Sequence, residues 1–176
     1  GSRNLGAVWS PDGQNIAYIS NRSQGNQVWI QSVTSGEAQM ITQFHYGPNA
    51  IQFAPDGKTI YTLVPVVASG AIEEWGDESE TRHADNPSER TYDSLYYKFD
   101  GIGFNDGTKK QIVAINVETK AYEVVTDGTY NIEQFSVAPD GASIVFSTVD
   151  VEGDNPLYNG GIFKISISDG DRKSVV

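Results

Sequence analysis

Hydrophobic and polar residues alternate along this chain in short stretches. Ile112-Val113-Ala114-Ile115-Asn116-Val117 and Ile162-Phe163-Lys164-Ile165-Ser166-Ile167 are two of them. Their period of two, with β-branched and aromatic residues prominent, predicts β-strands. The stretches are punctuated by Pro-Asp-Gly, three times and in one setting. The settings are Trp9-Ser10-Pro11-Asp12-Gly13, Phe53-Ala54-Pro55-Asp56-Gly57 and Val137-Ala138-Pro139-Asp140-Gly141. Proline presets φ for the first central position of a turn, aspartate ties its carboxylate to nearby N–H groups, and glycine takes the left-handed conformation. Each tripeptide therefore joins a strand ending at Trp9, Phe53 or Val137 to one opening near Ile16, Ile60 or Ile144. A second hairpin follows at a steady offset: 27–33 with 38–42, 111–117 with 121–126, and 161–167 with 172–176.

The prolines are 44 and 84 residues apart. Four short strands in a unit of about 40 to 45 residues, repeated, are the signature of β-propeller blades of the WD40-like kind. The expected fold is all-β and propeller-like, with three four-stranded antiparallel blades in one partial domain spanning 1–176. The blades fall at 5–42, 48–126 and 131–176, the middle one enlarged by an insertion at about 65–92. Three blades do not close a ring of the usual size, so an outer sheet face should be bare at each end. Val28 and Ile30, or Ile162 with Lys164 between Phe163 and Ile165, are the residues expected there. Bare faces favour self-association, and a homodimer closing into a six-bladed pseudo-ring is one expectation. A monomer with repacked or polar end faces is the other.

The insertion carries Glu73, Glu74, Asp77, Glu78, Glu80, Asp85 and Glu89 against Arg82, His83 and Arg90, with Trp75 its one large aromatic. A stretch of this composition buries little and reads as a surface loop or short helix, either functional or disordered. The aromatic and turn-rich run from Arg90 to Gly107 reads as packing or as a binding surface. The net charge of −11 argues against nucleic acid or an anionic membrane as partner. With no cysteine, thiol chemistry and disulfides are excluded. No stretch is apolar for 18 residues, as a membrane-spanning helix needs. Gly1-Ser2 reads as a cloning scar, so the native start is expected to be missing, and the compartment, cytoplasmic or periplasmic, stays open.

Three passages carry a resemblance. The first is Trp9 to Gly13 with Ile16-Ala17-Tyr18-Ile19-Ser20-Asn21-Arg22 and Gln27-Val28-Trp29-Ile30. The second is Ser35-Gly36-Glu37-Ala38 with Ile41-Thr42. The third is Tyr92-Asp93-Ser94-Leu95-Tyr96-Tyr97-Lys98, then Asp100-Gly101 and the strand at Gln111. The chain resembles the propeller domain of prolyl-oligopeptidase-family serine peptidases, in the branch of acylaminoacyl peptidases and dipeptidyl-peptidase-5-like enzymes. The first passage is shared with TolB-like propellers. The family has about seven blades and an α/β-hydrolase domain, of which this chain would hold three blades. The resemblance implies a propeller that covers the active site and restricts it to short peptides, with the hydrolase domain as partner. Within the insertion, Glu73 or Glu74 would meet a peptide's free amine, Arg82 or Arg90 a carboxylate, and Trp75 completes the substrate-binding candidates.

The family's nucleophile turn, Gly-x-Ser-x-Gly, does not occur in the sequence, and the two histidines, His45 and His83, have no nucleophile nearby. No catalytic residue is therefore assigned, and the isolated chain is expected to lack peptidase activity. Asp150-Val151-Glu152-Gly153-Asp154-Asn155 alternates oxygen ligands, but its glycine lies one place too early for a calcium loop. Asn105-Asp106-Gly107 reads as a plain turn, and Gly101-Ile102-Gly103 lacks the third glycine of a phosphate-binding loop. No cofactor and no metal are expected. The alternative to the peptidase reading is a stand-alone TolB-like module for protein binding or scaffolding.

Overall fold

The computed structural model describes residues 1–67, 70–75, 98–99, 103–104, 108–126, 130–149, 160–168 and 172–174. They form strands and turns only. The first sheet has the order β1 (Asn4–Trp9), β2 (Asn15–Ser23), β3 (Gly25–Ser32), β4 (Ala38–Met40), all neighbours antiparallel. The second begins with β5 (Ile51–Phe53) and β6 (Thr59–Val66). A separate two-stranded pair, β7 (Lys98–Phe99) and β8 (Gly103–Phe104), intervenes before β9 (Lys109–Asn116) pairs with β6 and β10 (Tyr122–Val124) closes the edge. The third sheet runs β11 (Asn131–Val137), β12 (Ser143–Val149), β13 (Gly160–Ser166), β14 (Arg172–Ser174). These are the three four-stranded antiparallel blades read from the repeat. The first strands of successive blades touch, β1 against β5 and β5 against β11, so they form the inner edge of the stack.

The Pro-Asp-Gly turns are built alike. Gly13, Gly57 and Gly141 sit at φ 70°, 69° and 72°. Each donates its N–H back to residue 10, 54 or 138, at 2.9, 3.0 and 2.9 Å. Each aspartate Oδ1 accepts the N–H two residues on, from Gln14, Lys58 or Ala142. Asp12 has one partner more, the Ser10 hydroxyl at 2.6 Å. That hydroxyl first, and the Gln14 N–H second, hold the Asp12 carboxyl below the usual carboxylate range. The turns also touch each other. A Cβ placed on Gly57 would lie 3.6 Å from Pro11, and one on Gly141 would lie 3.4 Å from Pro55.

Strand parity sends alternate residues to opposite faces. Between blades 1 and 2, Ala17, Val28 and Ile30 pack with Phe53, Ile60, Val113 and Ile115. Between blades 2 and 3, Tyr61, Leu63, Ile112 and Ala114 meet Ile132, Val137, Ile144, Phe146 and Ile165. Burial foremost, and then the carboxylates of Asp56 and Glu123, push the Tyr61 phenol above its usual value. Each fully buried aliphatic side chain at these seams is worth about 1.5–3 kcal/mol. Val28 and Ile30 were expected on a bare end face, and this is corrected. Both are buried in the first seam, because the face that carries them turns inward to blade 2. The outward face of blade 1 instead bears Trp9, Ile16, Tyr18 and Trp29, with Trp9 61% exposed. At the other end, Ile162 is 46% and Val145 41% exposed, while Ile165 is buried in the second seam and Phe163 packs against it.

A polar clasp repeats in blades 1 and 2. Thr42 Oγ1 donates to Gln27 Oε1 at 2.7 Å and accepts from the Val28 N–H at 2.9 Å. Gln27 also accepts from the Phe44 N–H and donates Nε2 to the Phe44 carbonyl. In blade 2, Thr126 and Gln111 repeat the pair at 2.6 Å, and Gln111 donates to the Tyr130 carbonyl. The clasp satisfies buried backbone groups where the chain leaves one blade for the next.

Candidate functional site

The Pro-Asp-Gly turns all lie at one end of the stack. The β2–β3 turn, the β4–β5 connection and the described start of the insertion, 70–75, lie at the other, because each is reached from such a turn after an odd number of passes along a sheet. The insertion enters by pairing with the β4–β5 connection. His45 N–H donates to the Glu73 carbonyl at 2.7 Å and Trp75 N–H to the Gln43 carbonyl at 2.9 Å, with Phe44 and Glu74 in an antiparallel bridge between them. The Trp75 ring rests on the His45 ring at 4.6 Å and lies 3.8 Å from where a Cβ on Gly25 would stand. Gly25, at φ 67°, makes the tight β2–β3 turn beneath it. Gly47 admits no side chain, since a Cβ there would be 2.7 Å from the Asn26 carbonyl oxygen.

Glu74 is fixed from the opposite side. Its Oε1 accepts the Tyr122 hydroxyl at 2.6 Å, and the Tyr122 ring meets Phe44 edge-on at 5.0 Å. The predicted residues Glu73, Glu74 and Trp75 are thus brought together on one short ladder. Arg82 and Arg90 lie outside the described residues, as do His83, Asn105-Asp106-Gly107 and the stretch from Asp150 to Asn155. Among the described residues, no three of His, Cys, Asp and Glu come together as metal ligands. No helix there is long and apolar enough to cross a membrane.

Beside Trp75 opens a cleft of about 510 Å³, lined by Arg22, Ser23, Gln24, Gln27, Met40, Gln43 and Trp75. Arg22 is the residue that sequence reasoning passed over. Its guanidinium lies 3.6 Å over the Trp29 ring and 5.3 Å from the Tyr18 ring centre, and its Nη2 donates to the Tyr18 hydroxyl. Tyr18 in turn donates to Gln31 Oε1 at 3.4 Å. The one signal in the sequence was a cation four residues after Tyr18 in a strand whose partner carries Trp29.

No family model matches the chain. Over 148 residues, 84% of its length, it is 31% identical to the uncharacterized peptidase YuxL of Bacillus subtilis, of which it covers 22%. It is 25% identical over 147 residues to dipeptidyl-peptidase 5 of Porphyromonas gingivalis, covering 16% of that protein. The chain is similar to a portion of these peptidases. This portion spans about a fifth or less of the curated relatives it matches. Its fold is that of acylaminoacyl peptidase from Pyrococcus horikoshii, with a TM-score of 0.67 and 20% identity over 98% of this chain and 25% of that one. The TolB-type protein of Agrobacterium tumefaciens shares the fold as well, with a TM-score of 0.62 and 18% identity over 99% of this chain and 50% of that one.

Proposed function

We propose that this propeller portion is the non-catalytic cover of a larger serine peptidase, facing an α/β-hydrolase domain and restricting its active site to short peptides. One observation carries the reading: the described start of the insertion lies at the end opposite the Pro-Asp-Gly turns, where it is docked through Trp75 and Glu74. The 31% identity to a peptidase supports it. In this reading Glu73, Glu74, Trp75, Arg82 and Arg90 border the substrate's path. Glu74, held by Tyr122, keeps one oxygen for a peptide amine. Removing residues 76–97 from the full-length parent tests the role. Activity on longer peptides should rise at least several-fold relative to dipeptides, and an unchanged length preference would overturn it.

A second reading is a TolB-like module that binds a protein partner, favoured by the TolB-type structure that matches 99% of the chain. A hydrolase domain directly downstream in the parent reading frame decides for the peptidase. The homodimer belongs with either reading, as a property of the chain separated from its neighbours. The exposed Trp9 at one end and Ile162 and Val145 at the other would then meet in a six-bladed ring.

A further inference from the structure

The cleft beside Trp75 combines features that call for a particular ligand. Its cation is prearranged. Stacking on Trp29 and the hydrogen bond to Tyr18 fix the Arg22 guanidinium in place, so little side-chain freedom is left to lose on binding. No carboxylate pairs with Arg22 among the described residues, in a chain whose net charge is −11. The side-chain oxygen of Gln27 is already taken by Thr42 and Phe44, so it does not compete for Arg22. Met40 and Trp75 supply apolar surface in the same cleft. The volume, about 510 Å³, falls in the range of small-molecule sites, about 300–1,000 Å³.

We propose that this cleft binds a carboxylate borne on a small apolar group, of the kind found at the C-terminal residue of a short peptide. Arg22 takes the carboxylate, for which its planar fork is suited. Met40 and the Trp75 ring take the apolar part. Such binding needs no catalytic domain, so its absence would leave the access-restricting role untouched.

The test uses the chain as it stands, titrated with N-acetyl-leucine and with N-acetyl-leucinamide and followed by calorimetry and tryptophan fluorescence. The acid should bind at least ten-fold more tightly than the amide, and added salt should weaken the acid alone. Arg22→Gln should erase the preference for the acid, and Arg22→Lys should retain part of it. Trp75→Ala should weaken both ligands alike. Circular dichroism identifies any variant that has lost its fold, and the acid-to-amide ratio of the folded variants then decides. Equal affinities, no binding of either compound, or a preference that survives Arg22→Gln would each overturn the assignment. The last would mean that a group other than Arg22 takes the carboxylate.

Discussion

Position for position, the face that blade 1 turns to blade 2 reads Ala17, Ile19, Val28 and Ile30. The same four places in blade 3 read Val145, Ser147, Ile162 and Lys164. The first set is buried, and the second leaves Val145 and Ile162 exposed with a lysine between them and a serine beside them. The clasp differs in parallel. Gln27 with Thr42 and Gln111 with Thr126 hold two blades, and the equivalent places in blade 3 are Gly161 and Val176 in the sequence. One turn and one strand order therefore serve two kinds of surface. The repeat fixes where a blade's residues go, and the residues chosen there follow what each face meets.

Adjacent positions of β12 break this comparison most sharply. Ile144→Ala empties a site at the second seam and should cost about 3 kcal/mol in urea unfolding. Val145→Ala, one residue on and facing outward, should stay within about 0.5 kcal/mol. A comparable cost at Val145 would mean that the outer face of blade 3 is covered in solution. Next in size is the clasp. Thr42→Val strands the buried Val28 N–H, leaves Gln27 Oε1 with the Phe44 N–H alone, and should cost about 2 kcal/mol, with Thr126→Val close behind.

The turns before β4 and β10 give a smaller contrast of opposite sign. Gly36 and Lys120 occupy the same place, at φ 71° and 62°, and each donates its N–H to the carbonyl four residues back. Lysine is strained there, so Lys120→Gly should stabilise by about 1 kcal/mol, and Gly36→Ala should destabilise by a similar amount, read as opposite shifts in melting temperature.

The smallest effect depends on pH. Folding favours the charged form of Asp12, so its contribution is in place above the carboxyl's unfolded pKa and fades as pH falls through the lower folded value. Asp12→Asn should therefore lower the melting temperature slightly at pH 7, and the gap to wild type should close as pH falls below the carboxyl's folded value. A gap that persists in acid would assign the loss to geometry rather than charge.

The blades were legible in the sequence because Pro-Asp-Gly marks a conformation that few other residues adopt, and it recurs. The direction of each face was not. Alternation separates Val28 and Ile30 from Trp29, but only the order of stacking says which set meets blade 2. The clasp was hidden because Gln27 and Gln111 fall at polar places in strands, where solvent is the ordinary expectation. Within the site, the lone tryptophan of the insertion stood out in the sequence, and its ring packs on His45 beside Gly25. Arg22 escaped because its setting depends on the pairing of Tyr18 with Trp29 across the hairpin.

The contact between Pro11 and Gly57, and between Pro55 and Gly141, bears on how such a chain grows. Each turn carries both halves of the contact, a proline for the blade that follows and a glycine for the blade that precedes. A gene segment encoding one blade therefore brings its own docking point, on either side, wherever it is copied in tandem. Duplication needs no new interface to be invented at the inner edge. Divergence is free to act at the opposite end, on the loops.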